Sequence, residues 1–137
     1  MYQRIVEEKI SLLKKKKEEL IENIKNGEET FIVNDKLVHQ TEKILIAIAQ
    51  VFSSICTILA INRLGRIPKH SFESLELLIK GGYISAKSGS SLYRLFRFLN
   101  FYYDFASLKE EDIYRISVDA ISLIEKFSKE VEKIVKA

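Results

Sequence analysis

The sequence predicts an all-α fold, an up-and-down helical bundle of four main helices plus one short helix, in a single domain spanning residues 1–137. Apolar residues recur at spacings of three and four along most of the chain, and no strand-like alternation is present. The 137 residues include one proline and five glycines, which leaves few points where a helix must end. A chain of this length can bury a core without disulfides or metal ions.

The first predicted helix runs from about residue 3 to residue 25. Its core side carries apolar residues at helical spacing: Val6, Ile10, Leu13, Leu20 and Ile24. Lys17 lies on the same side, where its stem can cover apolar surface while its ammonium group reaches water. The lysine run 14–17 is interpreted as a solvated face, with nucleic-acid binding as the alternative. Asn26-Gly27 ends this helix.

The second predicted helix begins near Asn34 or Asp35, ends near Leu64 and is the longest. From Ile44 to Ile61 it carries no charged side chain, which raises the question of a membrane span. Serine, threonine and glutamine side chains interrupt this stretch, and the other segments are amphipathic. We therefore expect the central helix of a bundle, or a helix shared with a partner subunit, and no membrane span.

A loop with the only proline, Pro68, separates this helix from a short third helix. Ser71 is predicted to cap the third helix, and Gly81-Gly82 to end it. Ser85 or Ser88 is predicted to begin the fourth helix.

The fifth predicted helix begins at a capping box formed by Ser107 and Glu110. Its apolar side is regular, with residues at spacings of three and four: Ile113, Ile116, Ala120, Ile124, Phe127, Val131 and Ile134. This regularity predicts a long helix with one side in the core.

The fourth helix holds the stretch LYRLFRFLNFYYDF, from Leu92 to Phe105. On a helical projection one broad side should meet the core, namely Leu92, Leu95, Phe96, Leu99 and Tyr103. A polar stripe with two flanking residues lies beside it: Arg97, Asn100 and Asp104, flanked by Tyr93 and Arg94. A further apolar strip is formed by Phe98, Phe101 and Phe105. Exposed phenylalanines in a row favour a homodimer in which a second subunit covers them.

The net charge of +3 is unevenly spread, because residues 60–100 hold the basic surplus. Their basic side chains are Arg63, Arg66, Lys69, Lys80, Lys87, Arg94 and Arg97, against Glu73 and Glu76. An anionic partner, with RNA as the first candidate, is expected to bind there, and Arg63, Arg66, Lys69, Arg94 and Asn100 are the predicted binding residues. The alternative is a solvated face.

The sequence contains no pattern for a metal or cofactor site. His39 and Glu42 have helical i, i+3 spacing but lack a second pair of ligands, and no glycine-rich phosphate loop is present. The single cysteine, Cys56, lies in the apolar helix and is interpreted as a small core residue. One cysteine and a charged, amphipathic N-terminus favour a cytoplasmic protein.

Roughly residues 36–134 resemble the HEPN superfamily, specifically the HepT-like ribonuclease toxins that pair with minimal nucleotidyltransferases. The resemblance depends on the order of the helices and on short matches along the chain: Pro68, Ser71-Phe72, Leu75, Leu78, Gly82 to Ile84, Phe96-Arg97, and Glu111 to Tyr114. It implies a HEPN-like bundle, a toxin–antitoxin role and metal-independent RNA cleavage at a groove between two subunits around Arg97.

The chain departs from that family at the histidine that follows the motif arginine. The corresponding window holds Tyr102, Tyr103 and Asp104, and the family's asparagine position is Phe98. The only histidines, His39 and His70, lie far upstream. Arg97 can stabilise the phosphorane charge, but a tyrosine is a poor base at neutral pH and Asp104 needs a raised pKa.

Three functions therefore stay open. The first is a diverged toxin–antitoxin component that binds RNA, a nucleotide or a partner nucleotidyltransferase around Arg97. The second is a ribonuclease that uses Arg97 with Asp104 or Tyr102, and the third is a structural dimer module without a ligand. The resemblance also implies adenylylation of a tyrosine, for which Tyr102 and Tyr103 lie near the family position.

Overall fold

The structure is a computed structural model that describes residues 2–100 and 108–136, with only the helical backbone described for residues 98–100. Within these ranges it contains six helices and no strand. The helices are α1 (Tyr2–Ile24), α2 (Glu28–Ile32), α3 (Asp35–Leu64), α4 (Ser71–Lys80), α5 (Ala86–Asn100) and α6 (Glu110–Lys136). The predicted all-α class is confirmed.

The four long helices alternate in direction. The start of α1 lies beside the end of α3, where the Tyr2 ring centroid is 5.9 Å from the guanidinium carbon of Arg63. At the other end of the pair, Asn23 Nδ2 of α1 donates to Thr41 Oγ1 of α3 over 3.2 Å. Contacts between the starts and ends of the remaining helices place α5 antiparallel to α3, and α6 parallel to it.

The core lies along α3, which packs against every other helix among the described residues. At its centre the Phe52 ring meets the Phe127 ring of α6 edge to face, with centroids 4.8 Å apart. Both rings are fully buried. The predicted core sides of the first and last helices are largely confirmed, since Ile24 and Ile116 alone among the residues named for them are only partly buried.

The sequence prediction missed α2, which lies in the connection between the first two predicted helices. Its five residues are too few to show a helical period, so the pattern gave no signal. The element is anchored by Phe31, which is buried and meets the Tyr114 ring of α6 with centroids 5.5 Å apart. The bundle therefore has two short helices rather than one.

The capping predictions are partly confirmed. Asn34 caps α3 through a 3.1 Å bond from Leu37 N to its Oδ1, and Ser85 Oγ accepts from Ser88 N at the start of α5. Gly82, with φ +76°, lies in the turn that follows α4.

Two capping predictions are wrong. The residue that caps α4 is His70, whose Nδ1 accepts from Glu73 N over 3.2 Å, while the Ser71 hydroxyl bonds to Ser53 of α3. Ser107 lies outside the described residues, and α6 begins at Glu110, so this glutamate is the first helical residue rather than the third. At this end Asp112 Oδ2 accepts from Lys109 N over 3.1 Å.

Among the described helices, α3 alone is long and apolar enough to cross a membrane. Half of its most apolar window is buried inside the bundle. A core helix of a soluble bundle meets the same criterion, so the structure requires no membrane span.

The start of α5 depends on a carboxylate from α6. Glu130 accepts from Ser85 N, Ser85 Oγ and Ser88 Oγ, at 3.2, 3.0 and 2.8 Å. An anion at a helix N-terminus satisfies free N–H groups and complements the helix dipole. Glu130 therefore joins α5 to α6.

We predict that Glu130→Ala lowers the free energy of unfolding by about 1–2 kcal/mol, because the partners of three hydrogen bonds lose their acceptor. Urea denaturation followed by far-UV circular dichroism measures the change. The matched control is Glu125→Ala, which removes an exposed ion pair with Lys17 on the same helix and should cost less than about 1 kcal/mol. Equal losses in both variants would contradict the role of Glu130.

Burial raises the pKa of the Cys56 thiol from 9.0 to about 12, since the thiolate would lose its hydration. We predict that a thiol reagent at pH 8 labels the native protein only as fast as the protein opens. Denatured protein is the control, and rapid labelling in native buffer would contradict the prediction.

The Cys56 thiol also makes stability depend on pH. The unfolded thiol titrates at lower pH than the folded one, so the free energy of unfolding should fall as pH rises above 9 toward 12.

Candidate nucleic-acid interface

Phe72, near the start of α4, brings two distant parts of the sequence together. Its half-buried ring meets three others, with centroid distances of 6.2 Å to His70, 5.0 Å to Tyr93 and 6.4 Å to Phe96. The loop before α4 therefore lies beside the second half of α5. We call the surface they share the α4–α5 surface, and it consists of Lys69, His70, Phe72, Tyr93, Arg94 and Arg97.

The α5 side of this surface follows the predicted helical projection. Leu92, Leu95 and Phe96 are buried, which confirms the core side up to that point. Tyr93 is 50% exposed, and Arg94 and Arg97 are exposed. The half-exposed Tyr93 ring thus packs against Phe72, and Arg94 and Arg97 follow it on the exposed side of the same helix.

Neither arginine is neutralised by the described part of the chain. The ion pairs found there lie on α1, between α1 and α6, and on α3, and none includes Arg94, Arg97 or Lys69. Glu73, the acidic residue nearest to Lys69 in sequence, accepts a 3.3 Å bond from Lys69 N and so lies at the start of α4. The α4–α5 surface therefore carries a positive potential.

His70 is held in one tautomer by its capping role. Its Nδ1 accepts the Glu73 N–H, so in the neutral imidazole the proton is on Nε2. The exposed ring can donate one hydrogen bond from Nε2 while α4 stays capped. The sequence prediction dismissed this histidine because it lies upstream of Arg97, and the fold of the loop brings it to the same surface. Pro68 and the Ser71-Phe72 pair, which lie on either side of His70, were the sequence features from which its position could have been inferred.

Arg63 lies apart from the α4–α5 surface, among different partners. Its Nη2 donates to the carbonyl of Ile134 near the end of α6, and its guanidinium group lies over the Tyr2 ring. It lines a surface depression with Tyr83 and Glu130. Of the other predicted basic binding residues, Arg66 and Lys69 are exposed in the loop before α4.

Several predicted site residues lie outside the described residues. These are Phe101, Tyr102, Tyr103, Asp104 and Phe105 in full, and the side chains of Phe98 and Asn100. The proposed catalytic partners of Arg97, the modified tyrosine and the phenylalanine dimer strip therefore stay predictions. Arg97 is exposed, as a residue that meets a ligand needs to be.

The other constellations are structural. Three lysines of the run 14–17 pair with carboxylates: Lys14 with Glu132, Lys16 with Glu19 and Lys17 with Glu125. His39 Nδ1 lies 3.7 Å from Glu42 Oε2 on the surface of α3. Within residues 2–100 and 108–136 no group of three histidine, cysteine or acidic side chains has the arrangement of a metal site.

Arg63 is predicted to stabilise the fold, whereas Arg66 is not. Arg63→Ala should lower the free energy of unfolding by about 1–2 kcal/mol, because the Ile134 carbonyl loses a charged donor. The matched control is Arg66→Ala, an exposed loop residue whose removal should change stability by less than about 0.5 kcal/mol. Thermal and urea denaturation measure both, and an unchanged Arg63→Ala protein would contradict the assignment.

Comparison with known proteins adds no relative to this description. No family model matches the chain, and the searches of curated proteins and of solved structures found no significant match.

Proposed function

We propose that this protein binds single-stranded RNA through the α4–α5 surface. The observation that carries the proposal is the half-exposed Tyr93 ring, which packs against Phe72 and shares the exposed side of α5 with Arg94 and Arg97. No described carboxylate forms an ion pair with either arginine. Exposed aromatic rings stack on unpaired bases, and arginine and lysine side chains bind the phosphates between them.

The exposed Tyr93 ring favours a single strand over a duplex. A base must leave its stack to lie on Tyr93, which is available without cost only in single-stranded or looped RNA. The His70 and Tyr93 rings both contact the Phe72 ring, so a strand that crosses these rings would meet the Nε2–H donor of His70 as well as Tyr93. The ligand would thus be a short, extended stretch of a few nucleotides.

The state of His70 supports binding rather than cleavage. A general base needs a free lone pair, and the one lone pair of the neutral imidazole already accepts the Glu73 N–H. Protonation of Nδ1 would give a general acid, but it would remove the cap of α4 and place a cation at a helix N-terminus. The Nε2–H group can instead donate to a phosphate oxygen or a base.

The ribonuclease alternative depends on the resemblance to HepT-like toxins and on Arg97 acting with Asp104 or Tyr102. The same resemblance implies a toxin–antitoxin role in the cytoplasm, a minimal nucleotidyltransferase as partner, and modification of Tyr102 or Tyr103. A neighbouring reading frame that encodes a small nucleotidyltransferase would support these parts. The third alternative, a structural dimer module, requires no ligand.

The test is fluorescence anisotropy with a labelled single-stranded RNA at several salt concentrations. We expect Tyr93→Ala to weaken binding about 5- to 100-fold, the loss of one stacked base, and Tyr93→Phe to retain most of the affinity. Arg97→Ala should weaken binding and reduce the slope of log K against log salt by about 0.7, the value for one phosphate on a single strand.

The matched control is Arg115→Ala, an exposed arginine on α6. It should leave affinity and salt dependence unchanged. Equal losses in the Arg97 and Arg115 variants would mean that RNA binds by overall charge alone, and absence of binding at low salt would favour the structural module. The same samples run on a denaturing gel test cleavage, since RNA fragments that disappear with Arg97→Ala would favour the ribonuclease.

A further inference from the structure

Helix α5 differs in charge from the other described helices, because it alone among them contains no acidic residue. Its cations are Lys87 in the first turn, Arg94 in the middle and Arg97 in the last turn, and all three are exposed. None of them forms an ion pair within residues 2–100 and 108–136. The exposed side of α5 therefore carries positive charge from its first turn to its last.

These three cations, which we call the α5 stripe, lie on one side of the helix. At about 100° per residue they fall within a sector about 80° wide. The stripe is about 15 Å long, from ten residues at about 1.5 Å each. Apart from Tyr93, the residues between Lys87 and Arg94 that reach the surface are two serines, Ser90 and Ser91. Their hydroxyls bond back to carbonyls one turn earlier, so the surface between the two cations is open to a ligand.

The stability of α5 does not account for this distribution of charge. Lys87 is the second residue of the helix, where a cation meets the positive end of the helix dipole. The first turns of α2, α3, α4 and α6 each contain an acidic residue, whereas that of α5 contains none. Helix α1 uses an i, i+4 ion pair between Arg4 and Glu8, and α5 has no such pair. The cations of α5 are therefore better explained by an anionic ligand.

The carboxylate at the start of α5, Glu130, is used by the fold. Its two oxygens accept three hydrogen bonds from Ser85 and Ser88. It lines a surface depression together with Arg63 and Lys133, so two cations share the depression with one carboxylate. The start of α5 therefore stays open to an anion.

The aromatic rings flank the α5 stripe on the side of α4. Tyr93 contacts Phe72 of α4 and lies about 100° round α5 from Arg94. The acidic residues of α4, Glu73 and Glu76, belong to the same side as the rings. Phosphates are therefore expected on the α5 stripe, and bases on the side of Tyr93.

We propose that bound RNA continues from the α4–α5 surface along α5 as far as Lys87, with its phosphates on the α5 stripe. This inference rests on the RNA binding proposed above and specifies the ligand as an oligonucleotide rather than a mononucleotide. At roughly 3.4 Å per nucleotide of one stacked strand, a stripe of about 15 Å spans about four nucleotides.

The test is competition of unlabelled oligouridylates of increasing length against a labelled RNA octamer, measured by fluorescence anisotropy. Affinity for the wild-type protein should rise with length up to about four nucleotides and then level off. Lys87→Ala should weaken octamer binding about threefold or more and lower the slope of log K against log salt by about 0.7, the value for one phosphate. The same variant should bind a dinucleotide as the wild type does, because a dinucleotide at Tyr93 does not reach the first turn.

The matched control is Lys36→Ala, since Lys36 is also an exposed lysine at the second position of its helix, α3. It should bind the octamer as the wild type does. Lys87→Gln, which keeps most of the side-chain stem, should weaken binding as Lys87→Ala does, and far-UV circular dichroism checks that each variant is folded.

Equal affinities of Lys87→Ala and Lys36→Ala for the octamer would overturn the inference, as would a mononucleotide that competes as well as the octamer. If Tyr93→Ala still weakens RNA binding in either case, the proposed function stands without the path along α5. A wild-type protein that binds no RNA at low salt overturns both.

Discussion

Burial of one side of α3 is the constraint on which the rest of the structure depends. This helix packs against every other described helix, and its central ring, Phe52, meets Phe127 of α6 in the middle of the core. Burial of this helix contributes a large hydrophobic free energy, because it carries more apolar residues than one side of a helix can hold. The five other described helices pack against it, and from Ile44 to Ile61 it carries no charged side chain.

The connection between α3 and α4 determines where the chemistry lies. The chain turns back after Leu64, with Gly65 at φ +63°, and the hydrogen bond between Ser53 and Ser71 holds the start of α4 beside the middle of α3. Phe72 consequently reaches Tyr93 of α5, about twenty residues away in sequence, and the His70 ring lies against Phe72. The capping bond from Glu73 N then orients the imidazole, so one interaction both begins the helix and limits what the histidine can do.

The sequence was sufficient for the long helices, and insufficient where side chains compete for a role. Helical spacing over twenty or more residues identified α1, α3 and α6, because only a helix places Val6, Ile10 and Leu13 on one side. Ser71 satisfies the rule for a cap, but its hydroxyl is used by Ser53, and a histidine took the position. Arg63 was predicted to be a binding residue because the sequence does not show its hydrogen-bond acceptor. That acceptor, the Ile134 carbonyl, is known only once α6 is placed. Local sequence patterns show which roles a side chain favours, whereas tertiary contacts decide which hydrogen-bond partner it has.

The described charges separate into those that the fold uses and those that it leaves free. Lysines of α1 face carboxylates of α6, Arg63 caps a helix end, and Glu130 holds the start of α5. Arg94, Arg97 and Lys69 have no such partner within the described ranges. Tyr93, on the same helix as the two arginines, is half exposed and packs against Phe72. An unpaired arginine costs little stability while it stays exposed. The stability of the fold therefore does not require Arg94 and Arg97 at these positions. Single-stranded RNA, the proposed ligand, would use these charges and the exposed ring together.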